Sequence, residues 1–302
     1  MIALIIKILA VLIAVMIISM IIDNRRFVVR TYRLRSSRIK KRLKLVYIAD
    51  LHEKAYGEDN EKLAEKIKEL APDAVIVGGD LIVYGKVNSL SLMRRLTQIC
   101  PVYFAEGNHE LRLEYFEELK AYDDIFNEEM EKAGVRMLHN SAVCPFGGED
   151  SGILLQGLEL PMKYYRKFKK TRLSAEELRE LIGEADRSVY TVLVSHIPVY
   201  FPTYAEWGAD LCLCGHVHGG LMRLPVIGGV MGTRPNLFPR YSCGQYFYCA
   251  RTDGKKHLSS MVLTCGLGMH TLPIRIFNPG EISLVELIPA DEAEQEEKNG
   301  TE

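Results

Sequence analysis

Between residues 43 and 133 short apolar runs alternate with amphipathic stretches, and this alternation limits the possible folds more than any other feature of the chain. Leu45–Ala49, Ala74–Val77 and Val102–Ala105 read as buried strands. Asn60–Leu70, with Leu63, Ile67 and Leu70 on one face, reads as a helix, and so do Leu90–Ile99 and the longer, charged Tyr115–Ala133. A βαβαβα order requires parallel strands joined by helical crossovers. Strands dominate further on: Val135–His139, Ile153–Leu158, Val189–Ser195, Asp210–Cys214, Tyr246–Ala250, Met261–Thr264 and Ile282–Leu287. One helix, Ala175–Ala185, is opened by Ser174 with Glu177 three residues on, a capping box. One α/β domain over 43–289 is the expectation.

Each of the first three strands ends in residues suited to chemistry. Asp50-Leu51-His52 follows the first, Gly78-Gly79-Asp80 the second and Gly107-Asn108-His109-Glu110 the third. In open α/β sheets ligands bind beyond the carboxyl ends of strands, so these groups share one edge. Two later strands end in Ser195-His196 and in Gly215-His216-Val217-His218-Gly219. If the backbone stays extended, period-two alternation turns His216 and His218 to one side, and likewise Asp50 and His52. Mixed nitrogen and oxygen donors suit zinc, manganese or iron better than calcium. Singly, each piece has a bland explanation: an Asp after glycine is usually a turn residue, and an H-x-H is often surface. Five pieces in order, each at a strand end, point to a metal site.

The series D-x-H, G-D, G-N-H-E, H and G-H-x-H resembles the calcineurin-like metallophosphoesterase superfamily, across about 43–289. It is most similar to the membrane-associated bacterial branch, which also resembles Asn236-Leu-Phe-Pro-Arg-Tyr-Ser-Cys-Gly and Pro273-Ile-Arg-Ile-Phe-Asn-Pro. The resemblance implies a four-layer α-β-β-α sandwich of two mixed sheets and two divalent metal ions (manganese, zinc or iron). It implies that Asp50, His52 and His218 hold one ion, that Asn108, His196 and His216 hold the other, and that Asp80 bridges both. His109 would stand beside the substrate. Two positions depart from the pattern: Val217, where relatives often have Thr, and Thr264-Cys265, where they often have Ser-Arg. Neither is a ligand position.

With such a centre the expected reaction is hydrolysis of a phosphodiester or pyrophosphate bond by a two-metal-activated hydroxide, with His109 donating a hydrogen bond or a proton to the leaving oxygen. The related branch implies a lipid-linked substrate such as a UDP-diacylglucosamine. The alternatives are a phosphodiesterase or phosphatase of soluble substrates and a non-catalytic scaffold, the latter opposed by the complete ligand set. Pro161–Arg172 (PMKYYRKFKKTR) reads either as a solvated loop or as a lip that docks on anionic lipid or grips a charged substrate, and Gly219–Tyr241, with Arg223, Arg234 and Arg240, is a second candidate lip.

Location is written at the start of the chain. Ile2–Ile22 is apolar apart from Lys7 and a few small residues, long enough as a helix to cross a bilayer core, with no cleavage signature before Asp23. Residues 23–44 hold ten Lys and Arg against the single acid Asp23, a net +9, so the overall charge of −1 leaves −10 on the rest. Positive charge beside a span stays cytoplasmic, which would place the catalytic body in the cytoplasm of a single-pass cell-membrane protein. The expected division is an anchor over 1–22, a basic juxtamembrane segment over 23–42, the enzyme domain over 43–289 and an acidic disordered tail over 290–302. The balanced total and the absence of an extended basic groove exclude a general nucleic-acid binder. The seven cysteines are odd in number and sit mainly in apolar runs, which reads as buried free thiols.

Overall fold

The computed structural model describes residues 1–83, 89–145, 151–166, 171–233, 236–252, 254–270 and 272–292. The apolar opening forms helix α1 (Ile2–Asp23), whose apolar window is wholly unburied. At 22 residues it spans about 33 Å. Then follow β1 (Phe27–Ser36), β2 (Leu43–Ile48), α2 (Glu61–Glu69), β3 (Ala74–Val77), α3 (Leu90–Thr97), β4 (Val102–Phe104), α4 (Leu111–Tyr115) and α5 (Lys120–Lys132). The second half holds β5 (Arg136–Met137), β6 (Ala142–Val143), β7 (Ile153–Leu158), α6 (Ala175–Ile182), β8 (Tyr190–Ser195), α7 (Phe201–Trp207) and β9 (Leu211–Cys214). The hairpin β10 (Met222–Leu224) and β11 (Gly228–Met231) precedes β12 (Gly244–Thr252), β13 (Lys255–Leu263) and β14 (Gly280–Pro289).

Two six-stranded mixed sheets result, in the orders β1-β14-β2-β3-β4-β5 and β12-β13-β9-β8-β7-β6. Strand alternation sorts their side chains into three apolar layers. Leu45 and Tyr47 of β2 face Val192, Val194, Leu211 and Leu213 between the sheets. Val46 and Ile48 turn outward to Leu63 and Ile67 of α2, Leu92 and Met93 of α3 and Phe126 of α5. Leu193, Cys212 and Cys214 turn the other way, under Leu178 of α6 and Phe201, Tyr204 and Trp207 of α7. Helix, sheet, sheet, helix is therefore the four-layer α/β sandwich expected. The parallel strands β2, β3 and β4 of one sheet and β8 and β9 of the other run in the sense that brings their C-terminal ends to the site.

Three expectations change. Residues 27–36, read as part of a basic juxtamembrane segment, form edge strand β1, paired in parallel with β14. Its arginines alternate with Tyr32 and Leu34, which are buried, and Arg30 and Arg33 pair with Glu281 and Glu286 of β14. Arg38 pairs with Asp210 beyond β8. The single helix expected over Tyr115–Ala133 is broken into α4, a 3-10 turn at Glu117–Leu119, and α5. The cysteines are all free, but only Cys212, Cys214 and Cys265 are buried, while Cys144 and Cys249 are exposed. Residues 167–170 of the basic loop, Arg234 and the tail from 293 onward lie outside the described residues.

Candidate metal centre

Strand β2 ends at Ile48, and the chain then turns through left-handed conformations at Asp50 (φ 54°) and His52 (φ 48°). Asp80 (φ 55°), His216 (φ 72°) and His218 (φ 52°) adopt the same region. Non-glycine residues rarely do so, and each such residue stores strain of order 1–3 kcal/mol that the surroundings must hold in place. The convergence expected from extended alternation is thus produced otherwise: β2 and β9 stop short of the histidines, and tight turns aim them.

Backbone bonds hold those turns. Asp50 N–H donates to Gly79 O (3.0 Å) and His52 N–H to Asp80 O (3.1 Å). Asp50 accepts from His216 N–H with both oxygens (3.1 and 3.0 Å). Glu110 is buried beneath and accepts from the N–H groups of Asp80 (2.8 Å), Leu81 (2.8 Å) and Gly107 (3.0 Å). Arg275, fully buried, donates to the carbonyls of Cys265, Gly266, Gly268 and Asn278 and so fixes the turn under Asp50. A Cβ on Gly266, which has φ 65°, would lie 2.6 Å from Asp50 Cβ, so only glycine fits.

The side chains then meet. Asp80 Oδ2 lies 3.1 Å from His196 Nε2, 3.7 Å from His52 Nε2 and 4.0 Å from His109 Nε2. Asp50 Oδ1 lies 3.6 Å from His218 Nδ1, 3.7 Å from His196 Nε2 and 3.9 Å from His52 Nε2. Within each of the trios Asp50/His52/His218 and Asp80/His196/His216 the donor atoms fall within 4.8 Å of one another. Asn108 is buried beside them. Seven of the eight site residues named from the sequence therefore meet in one place, and Asn108 adjoins them in the chain beside His109. His196 Nδ1 donates to Gly78 O (2.7 Å); a carbonyl only accepts, so Nδ1 carries a proton and Nε2 is the ring atom turned to the centre.

The residues fit a divalent metal. Both ring nitrogens of His52, His218 Nδ1 and Asn108 Oδ1 are buried without a hydrogen-bond partner. Such orphans are costly unless something else satisfies them. Burial pushes His52 down to about 3 and His218 well below the usual imidazole value, so both stand as neutral ligands. Burial raises Asp50 to about 7 against the pull of His196, and burial with the nearby Asp80 carboxylate raises Glu110 to about 7. Burial opposes charge on His196, but Asp80 and Asp50 lift it to about 10, so a cation bound at Nε2 would displace a proton there.

Two groups escaped sequence reading. His270 packs its ring against His52 (5.0 Å between centroids), His109 (4.9 Å) and His218 (5.8 Å). It belongs to no strand-end motif, so nothing in its neighbours marked it. Tyr165, read only as part of a basic lip, is buried with its ring 5.6 Å from that of His216.

Residues 43–220 match the family model described as calcineurin-like phosphoesterase. An uncharacterized protein YpbG of Bacillus subtilis is 29% identical over 66% of this chain and 70% of its own length. Phosphodiesterase YaeI of Escherichia coli is 21% identical over 81% of this chain and 82% of its own. A transmembrane protein with metallophosphoesterase domain from Danio rerio is 24% identical over 81% of this chain, which spans 53% of that protein's length.

Proposed function

The chain belongs to the calcineurin-like phosphoesterase family and is a phosphoester hydrolase, and on that premise we propose that it cleaves a phosphodiester or pyrophosphate bond of a lipid-linked substrate at a membrane surface. The observation that carries this reading is a cavity of about 620 Å³ bordered by His216. Leu173, Ile197, Val199 and Tyr200 make its wall apolar, and Arg166, Arg172 and Arg240 line it. Among the described residues no carboxylate pairs with these three arginines, so they remain able to bind an anion. An apolar wall carrying unneutralised arginines suits a molecule that is both greasy and phosphorylated.

In this reading Asp50, His52 and His218 would hold one divalent cation and Asn108, His196 and His216 the other, with Asp80 serving both. What such a pair supplies when bound is Lewis-acid neutralisation of phosphoryl charge and a nucleophile at neutral pH. The chain's own residues do the rest. Glu110 holds the turns that carry Asp80 and Asn108. His109 N–H donates to Asp80 Oδ1 (2.9 Å), which fixes the loop from which its ring faces the centre. Burial lowers His109 to about 4, so its imidazole is neutral and keeps one N–H for the leaving oxygen. The cavity beyond His216 orients the remote part of the substrate, so that binding energy is used for alignment.

Helix α1 supports a membrane location, since its length and apolarity match a bilayer core, and the basic residues that follow favour the cytoplasmic side for the catalytic body. The test is a panel assay of the purified full chain with bis(p-nitrophenyl) phosphate, a cyclic nucleotide and a diacyl pyrophosphate-linked lipid. Chelator-sensitive turnover with a preference of at least tenfold in kcat/KM for the lipid supports the proposal. Preference for the soluble nucleotide would overturn its substrate half and leave the family reaction standing.

A further inference from the structure

The end of α1 is joined to the enzyme body rather than hung from a linker. Phe277 N–H donates to Ser19 Oγ (2.8 Å), Asn278 N–H to Asp23 Oδ2 (3.0 Å) and Asn24 Nδ2 to Pro273 O (2.6 Å). Asp23 is buried in this joint. Asn278 also reaches the other way, its Nδ2 donating to His218 O and Gly220 O (2.8 Å each). One asparagine therefore connects the last residue of the apolar helix to the loop that carries His218.

The surface around the joint is apolar. Val226, Ile227, Leu237, Phe238, Leu272 and Phe277 are all exposed, Val226 fully. They come from three segments that the backbone ties together. Arg223 N–H donates to Ile276 O and Ile276 N–H to Leu221 O (3.0 Å each), and Phe238 N–H donates to Val230 O (2.9 Å). Val226 and Ile227 form the tip of the β10–β11 hairpin, where Val226 has φ 68°. Residues 219–241 contain no acid, in a chain whose charge outside 23–44 is −10. A soluble surface seldom gathers large apolar side chains in one contiguous patch without a partner. Here the patch continues from a helix built to lie in lipid.

Resting on the membrane reading of α1, we infer that residues 219–233, 236–241 and 272–277 form a lip immersed in the headgroup and acyl boundary of the same bilayer, one that carries anionic lipid. Its apolar tip takes the acyl side, and Arg223 and Arg240 take the phosphates. Gly220, Asn236 and Arg240 of this lip also wall the cavity beside His216, so the cavity has a wall that touches lipid. A substrate then moves from membrane to metal centre without crossing water.

The test uses the full chain in nanodiscs of phosphatidylcholine and phosphatidylglycerol, with and without lipids brominated on the acyl chains. The native Trp207 is buried and serves as background. Ile227→Trp adds a reporter at the tip, and Leu258→Trp adds one at an exposed position of β13. The lip predicts that bromolipids remove about half of the added Ile227→Trp emission and leave Leu258→Trp unchanged, as a 5–10 Å insertion requires. Both variants should hydrolyse bis(p-nitrophenyl) phosphate within twofold of the parent, which certifies the fold. Unquenched Ile227→Trp in a chain that resists alkaline carbonate extraction would sink the lip and spare the anchor. A chain that washes off in carbonate would end both.

Discussion

The floor of the site and its rim are built on opposite principles. On the floor, the supporting carboxylates are fixed by internal bonds: Asp50 is held by His216 N–H, Asp80 by His109 N–H, and Glu110 by four backbone donors. At the rim, Arg166, Arg172 and Arg240 line the cavity and Val226, Ile227 and Phe238 stand exposed. A centre that must hold reacting atoms needs every supporting group fixed in advance. A rim that receives a large amphiphile, as proposed, needs surface left over. The floor should therefore decide whether any phosphoester is cleaved, and the rim which one.

The contrast can be broken or sharpened by substitution. Asp80→Asn should lower kcat by at least about 10³-fold on every substrate and release bound metal, read by turnover and metal content together. His109→Ala should cost about 10²-fold in kcat with metal content unchanged. Were that variant metal-free, His109 would belong among the ligands. Glu110→Gln sets an amide N–H₂ against backbone donors that now meet a carboxylate. It should weaken metal affinity about tenfold, with excess metal restoring the rate.

Glu281 lies under the floor, fully buried, paired with Arg30 and accepting from Tyr32 and Ser283. Burial works against its charge, but Arg30 and the hydrogen bonds prevail and lower it below its ordinary 4.5. A depressed carboxylate adds stability that is complete above the unfolded value and disappears as pH falls through the folded one. Arg30 is a third exposed, which weakens the pair, so Glu281→Gln should cost about 1 kcal/mol at pH 7 and less below pH 4. Urea unfolding at the two pH values measures it, and an equal cost at both would refute the linkage. The smallest effect belongs to the rim. Arg172→Ala with Arg240→Ala should raise KM about threefold for a phosphorylated amphiphile and leave bis(p-nitrophenyl) phosphate unchanged. A matching loss on both substrates would erase the distinction between floor and rim.

What the sequence disclosed follows the same division. Strand β3 was legible to the residue because four consecutive apolar residues between Asp73 and Gly78 admit little else. The strand-end motifs were legible because carboxylates and imidazoles after short apolar runs are chemically conspicuous. Their mode of convergence was not, since left-handed turns at Asp50, Asp80 and His218 leave no mark on residue type when the residue is not glycine. Strand β1 was hidden by its own charge. Its period-two alternation of Tyr32 and Leu34 with Arg33 and Arg35 was present, but the density of arginines made it look like a solvated segment. His270 was invisible because it reaches the centre only through the turn that Arg275 holds. The apolar rim was partly visible as a basic lip, while its continuity with α1 depends on Asn278, which joins positions far apart in the chain.

Metal analysis of the purified full chain, run beside chelator titration of bis(p-nitrophenyl) phosphate hydrolysis, addresses the floor most directly. Two divalent ions per chain, with turnover that vanishes on chelation and returns when metal is restored, is the predicted result. Hydrolysis that survives in a chain stripped of metal would contradict it.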